Sequence, residues 1–175
     1  MRMDKPNVLP RKKSNMSKKP SNLDGLAASV AKQVERLAPK SEESLFQELG
    51  IRMIIARRDP GTVADFAPQI DPDQLPKPPK ADLELSGRLI FQRANRELYR
   101  FICEEDGVDK GLKASLFEAI IGKDISAGAL IGSILVGHFG LLPGIATIIA
   151  VIFIKLLVVP KGQQVCSYWK TSLAI

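Results

Sequence analysis

Histidine occurs once in these 175 residues, tryptophan once and cysteine twice. The single histidine, His138, excludes paired-histidine metal motifs and leaves nothing from which to build a nucleophile–histidine–acid triad. Cys103 and Cys166 lie far apart and in no CxxC pattern. Two thiols so placed suit a reducing compartment and define no disulfide framework. No GxGxxG opens a helix, and Gly122-Lys123 fails as a phosphate loop because Phe117 stands where the first glycine belongs. Acids come as local runs such as Glu104-Glu105-Asp106, which read as a solvated helix end. Nothing here assembles a nucleophile, a base and an oxyanion site. The expectation is a protein that is not an enzyme and uses no cofactor and no metal. No apolar run follows the early basic residues before Leu23, so no secretory leader is expected.

Charge is present but badly shared. The first twenty residues hold seven Lys or Arg, among them Arg11, Lys12, Lys13, Lys18 and Lys19, against Asp4 alone. That excess of +6 equals the net charge of the whole chain, so residues 21–175 are neutral, with eighteen bases and eighteen acids. The basic character belongs to a tail. Residues 1–22, rich in Pro, Ser, Lys and Asn, read as disordered, a solvated arm or a contact for anionic lipid or nucleic acid.

From residue 23 the apolar spacing turns helical. Leu23, Leu26, Val30, Val34 and Leu37 share one face, with Asn22 as N-cap and Pro39 as stop. Ser41 caps a second helix, with Leu45, Phe46, Leu49, Met53 and Ile54 on its face and Gly50 weakening its middle. These make 23–58 a pair of amphipathic helices. Six prolines in 59–80 (Pro60, Pro68, Pro72, Pro76, Pro78, Pro79) read as an extended linker. Residues 81–121 read as a cytosolic helical region. Its first helix has Leu85, Leu89, Ile90, Leu98, Phe101 and Ile102 on the apolar side and Arg88, Arg93, Arg96 and Arg100 on the wet one. A solvated face is the default for those arginines, since no aromatic is interleaved to stack bases. A shorter helix follows from Lys110, with Leu112, Leu116, Phe117 and Ile120 on its face.

Between Asp124 and Lys155 stand thirty residues with no Asp, Glu, Lys or Arg. Such a run is the usual mark of a membrane-spanning helix. Counted through Val159, one helix would be about 52 Å long against a hydrocarbon core of about 30 Å. Pro143-Gly144 offers a break, which makes 125–159 a two-helix transmembrane hairpin, followed by a cytosolic tail at 160–175. The first helix carries small residues four apart, Gly128 and Gly132, then Ser133 and Gly137, with Gly140 beyond. This pattern suits close helix packing or oligomerisation in lipid. His138 and Lys155 are its polar intramembrane residues, and Tyr168 with Trp169 suit an interfacial anchor. Lysines flank both ends of the hairpin (Lys110, Lys113 and Lys123 before it, Lys155, Lys161 and Lys170 after it), which places both termini in the cytoplasm.

The sequence thus predicts an all-α protein, with cytosolic amphipathic helices followed by a C-terminal transmembrane hairpin. Its partners would be the lipid bilayer, further copies of itself and a cytosolic protein, with nucleic acid reached only through the tail. The hairpin would anchor a recruiting region. Two alternatives are an oligomeric pore-forming or membrane-perturbing effector, and a soluble helical protein that uses the very apolar hairpin as its own core.

Overall fold

The computed structural model describes residues 22–70, 78–105 and 107–173. The basic tail with Arg11, Lys12, Lys13, Lys18 and Lys19 lies outside them, as do residues 71–77 and Asp106 of the acidic run.

All regular elements among the described residues are helical: α1 (Asn22–Leu37), α2 (Glu42–Arg58), α3 (Pro60–Val63), α4 (Lys80–Tyr99) with a π-helical turn (Arg100–Glu104), α5 (Lys110–Gly122), α6 (Ile125–Gly137), α7 (Pro143–Leu156) and α8 (Val165–Ser172). Local chemistry sets their starts. The Ser41 hydroxyl accepts from Ser44 N–H at 3.2 Å, and the Asp109 and Asp124 carboxylates accept from Leu112 and Ser126 N–H at 3.0 and 2.9 Å. Pro143 opens α7 from the first turn, where its missing N–H costs nothing.

Packing is organised around α7. Every residue from Gly144 to Phe153 is buried, covered by α1, α2, α4 and α6. The inner stripes of the cover are those of amphipathic helices: Val30, Val34 and Leu37 on α1, and Leu45, Phe46, Leu49 and Ile55 on α2. The apolar run therefore forms a hairpin, but the chain's own helices solvate it. With 13 residues in α6 and 14 in α7, the two are only about 20 and 21 Å long. No described helix is long and apolar enough to cross a membrane. The shortfall is local in origin. Helix α6 stops at Gly137, five residues short of the expected end, and Gly140 then takes φ +65°, a left-handed conformation open to glycine.

Other expectations shift with the packing. Residues 59–70 are not a free spacer: Asp59 caps α3, Val63 is buried, and Phe66 and Ile70 lie against the core. The C-terminal tail contains α8, with Val165 and Trp169 buried. Helix α4 presents Leu83, Gly87, Phe91 and Leu98 inward, leaving Leu85 and Leu89 in solvent at 58% and 59% exposure. The rotation follows from a reciprocal glycine crossing. A Cβ on Gly50 would stand 2.4 Å from the Leu83 carbonyl oxygen, and one on Gly87 would stand 2.0 Å from that of Phe46. Backbone meets backbone there, which only residues without side chains allow.

Candidate functional site, a sheathed apolar hairpin

The polar atoms of the hairpin close on themselves. Ser133 Oγ donates to the Ala129 carbonyl and Thr147 Oγ1 to the Pro143 carbonyl, both at 2.8 Å and both one turn back in the same helix. Among the described residues one side-chain hydrogen bond reaches the hairpin from the sheath: Arg52, with 1% of its side chain exposed, donates through Nη1 to the Gly144 carbonyl in the first turn of α7. Its Nη2 binds Glu48, which also takes Lys40 Nζ. Burial pushes the Glu48 carboxyl up, but the Lys40 hydrogen bond together with the charge and hydrogen bond of Arg52 outweighs it, so the group sits below its ordinary range. Burial holds Arg52 below its usual value against the pull of Glu48. The sequence reading missed Arg52, because an arginine within an amphipathic stripe reads as a solvated charge.

The small residues of α6 face α1. A Cβ on Gly128 would meet Val34 Cγ1 at 3.0 Å, and one on Gly132 would meet Val30 Cγ1 at 2.5 Å. Ser133 is buried, whereas Gly137 and Gly140 are exposed at the turn. At Gly132 the close approach is to the chain's own sheath, and at Gly128 it is to the sheath and, through Ile154 Cδ1 at 3.4 Å, to the second hairpin helix.

His138 is exposed at the C-cap of α6, its ring stacked on Phe101 with centroids 3.8 Å apart and edge-on to Phe139. Lys155 is exposed in the last turn of α7, where a cation suits the helix dipole. Tyr168 is half-buried. Trp169 is fully buried instead of lying at an interface. Its Nε1 donates to Asn95 Oδ1 at 2.8 Å, and its ring stands edge-on to Tyr99 and Phe153.

Beside Trp169 a cleft of 540 Å³ runs between α2, α4, the end of α7 and α8. Its floor is apolar (Phe46, Phe91, Phe153) and its rim carries Arg88, Gln92 and Arg96. Arg88 lies over the Phe46 ring at 4.3 Å and pairs with Glu84 and Glu42, whose hydrogen bonds hold its pKa above the usual arginine value.

Cys103 and Cys166 also depart from expectation, since they form a disulfide with Cα atoms 5.7 Å apart. Two cysteines 63 residues apart carry no sequence signal for pairing; the contact of the π-turn with α8 creates it. Among the described residues no cluster of His, Cys, Asp or Glu has the make-up of a metal site. No protein-family model, curated protein or solved structure matches this chain.

Proposed function

We propose that this chain is a non-catalytic effector that carries an apolar hairpin inside a sheath of amphipathic helices and delivers it to a lipid bilayer when the sheath opens. One observation carries the reading: across thirty uncharged residues the buried hydroxyls bond within their own helices. Exchanging the sheath for lipid therefore strands neither of the buried hydroxyls, Ser133 and Thr147, while Ser126 lies exposed in the first turn of α6. The link to lose is Arg52 to Gly144. Delivery needs helix growth as well. If 138–142 joined α6 and 157–159 joined α7, segments of 18 and 17 residues would measure about 27 and 26 Å, one hydrocarbon core each. Small-xxx-small spacing at Gly128 and Gly132 then serves packing in lipid as it serves packing on α1. The basic tail supplies attraction to an anionic surface.

The test uses the full chain with dye-loaded vesicles containing an anionic phospholipid. Co-sedimentation with the vesicles and dye release are expected. Absence of both at neutral and acid pH, with the disulfide intact and with it reduced, would overturn the reading.

A second reading, pairing with another copy of the chain, is favoured by α4. Leu85 and Leu89 stand one turn apart on its outer face, flanked by Asp82 and Arg93, which form no ion pair among the described residues. Two α4 helices laid antiparallel about a two-fold axis at position 87 would set Leu85 on the second copy's Leu89 and Asp82 beside its Arg93 in the same register. Sedimentation equilibrium tests it. A dimer lost in Leu89→Glu supports the pairing, and a monomer at every concentration removes it.

A further inference from the structure

The disulfide joins the π-turn that ends α4 to the first turn of α8, and the loop it closes contains α5, α6 and α7 entire. The apolar hairpin is thus bracketed by one covalent tie. Helix α8 is only eight residues long and has no side-chain N-cap. Beyond its backbone it is held by the tie at Cys166 and by two buried side chains. Val165 lies in the core, and Trp169, with no exposed surface, is inserted between Tyr99 of α4 and Phe153 of α7 and donates to Asn95. The opposite face of α8, with Ser167, Lys170 and Thr171, is in solvent. Next to these residues, Ser172 and Leu173 form one wall of the cleft whose floor includes Phe153. Helix α8 therefore works as a plug over the C-terminal end of the buried hairpin, the end that has to lengthen through 157–159 for a crossing.

We infer that Cys103–Cys166 is a redox latch: a dithiol reductant opens it, α8 swings away, and the end of α7 is uncovered. The regulatory use of the latch rests on the membrane reading above; the motion of α8 does not. The chemistry is thiol–disulfide exchange. A thiolate of the dithiol attacks one sulfur of the pair, which breaks Cys103 Sγ–Cys166 Sγ and forms a mixed disulfide. The second thiol of the reductant resolves it. Two electrons and two protons end on Cys103 and Cys166, and the reductant leaves as its own disulfide. Both cysteines are partly buried against the core but keep some surface in solvent, where such a reductant can reach them. An eight-residue helix seated by Val165 and Trp169 alone has little cooperative hold of its own once the bond is gone. Flank geometry agrees with an opened hairpin, because two crossings return positions 103 and 166 to the same side of a bilayer.

Trp169 is the sole tryptophan, so the plug reports on itself. Intact protein is treated with dithiothreitol without vesicles, thiol release is confirmed by alkylation and mass, and Trp169 emission, acrylamide quenching and far-ultraviolet circular dichroism are recorded. Expected are a red shift and a severalfold rise in quenching, with helicity nearly unchanged; Cys103→Ser should reproduce this without reductant. Unchanged quenching with both thiols alkylated would overturn the latch. So would general loss of helicity in step with the emission change, which would make the bond a whole-fold staple. The dye-loaded vesicles then separate the two claims. Faster release from the reduced protein supports the regulatory use. Release at the same rate in both forms ends that use while leaving membrane action intact. Trp169 freed with neither dye release nor co-sedimentation leaves α8 mobile on reduction and removes the membrane reading.

Discussion

Two of the glycine-mediated helix contacts among the described residues are unlike in kind. Between α2 and α4, Gly50 and Gly87 each face the other helix's backbone, at carbonyl oxygens that have no freedom to rotate away. Between α1 and α6, Gly128 and Gly132 face methyl groups of Val34 and Val30, side chains on a helix that lies on the outside. The first contact is fixed by two backbones and supported by Arg52, which ties α2 to the first turn of α7. The second has no side-chain hydrogen bond across it among the described residues, and α1 buries Gln33 with its Oε1 unpartnered. Such an orphan costs about 1–3 kcal/mol, but α2 carries one too, since Arg52 Nε is buried without a partner; the contacts differ in what stands across them, backbone between α2 and α4 and methyl groups between α1 and α6. If the sheath opens, α1 is the part that lifts, and α2 with α4 is the frame it lifts from.

The sharpest way to break this contrast is Gly87→Ala. The new Cβ would fall 2.0 Å from a backbone oxygen, so α2 and α4 must separate along their length. A loss of about 3 kcal/mol or more is expected in urea unfolding, beyond ordinary overpacking. Gly50→Ala should follow closely, with its Cβ 2.4 Å from the Leu83 oxygen. An unfolding midpoint equal to wild type in either would show that the frame is not tight. Arg52→Ala comes next, at about 2 kcal/mol. It removes the donor to Gly144, while Glu48 keeps Lys40 and so is not stranded as a lone buried charge. The same substitution weakens the frame's hold on α7 and should speed dye release from vesicles.

Much of this was legible in the amino-acid pattern, and the failures have identifiable causes. Spacing located α1, α2, α4 and α5 because each buries a stripe at helical period. Yet the inward side of α4 was misread. Gly87, at the centre of its buried face, contributes no apolar side chain to a pattern search, while Leu85 and Leu89 contribute two that face solvent. Gly50 looked like a weak point in α2 and is a contact point. The hairpin break at Pro143 was visible, but hydropathy cannot say whether lipid or protein covers an apolar helix. What separates the two in this fold is length, set by Asp124, Gly140 and Pro143. The Cys103–Cys166 pair and the burial of Trp169 depend on how α8 returns to α4, which no local spacing encodes.

Acid tests the electrostatic part of the frame. The folded-state pKa of Glu48 is depressed, so its contribution is complete above the ordinary glutamate value of about 4.3 and is lost as pH falls through the lower folded value. Wild type should therefore lose stability on acidification more steeply than Glu48→Gln over that window, read from thermal unfolding at a series of pH values. Parallel curves would mean that Lys40 and Arg52 do not hold the carboxylate charged. The sign also bears on opening: protonating Glu48 leaves buried Arg52 without its counter-charge, so acid loosens the link to α7 rather than tightening it.

The α1–α6 contact should give the smallest effects, and their pattern matters more than their size. Gly132→Ala places a methyl 2.5 Å from Val30 Cγ1, a clash that a rotation of Val30 or a shift of α1 relieves, so the loss should be about 1 kcal/mol. Gly128→Ala, at 3.0 Å from Val34 Cγ1, should cost less than that. Combining Gly132→Ala with Val30→Ala supplies the relief directly: the added methyl fills part of the space the valine vacates, and the double variant should be more stable than the sum of the two singles predicts. No such partner substitution exists for Gly87, whose obstacle is a peptide carbonyl. Coupling at 132 and its absence at 87 would establish that one contact adjusts by moving side chains and the other does not move at all. Strict additivity of Gly132→Ala and Val30→Ala would mean that α1 does not rest on α6 through this pair, and α1 would lose its claim to be the part that lifts.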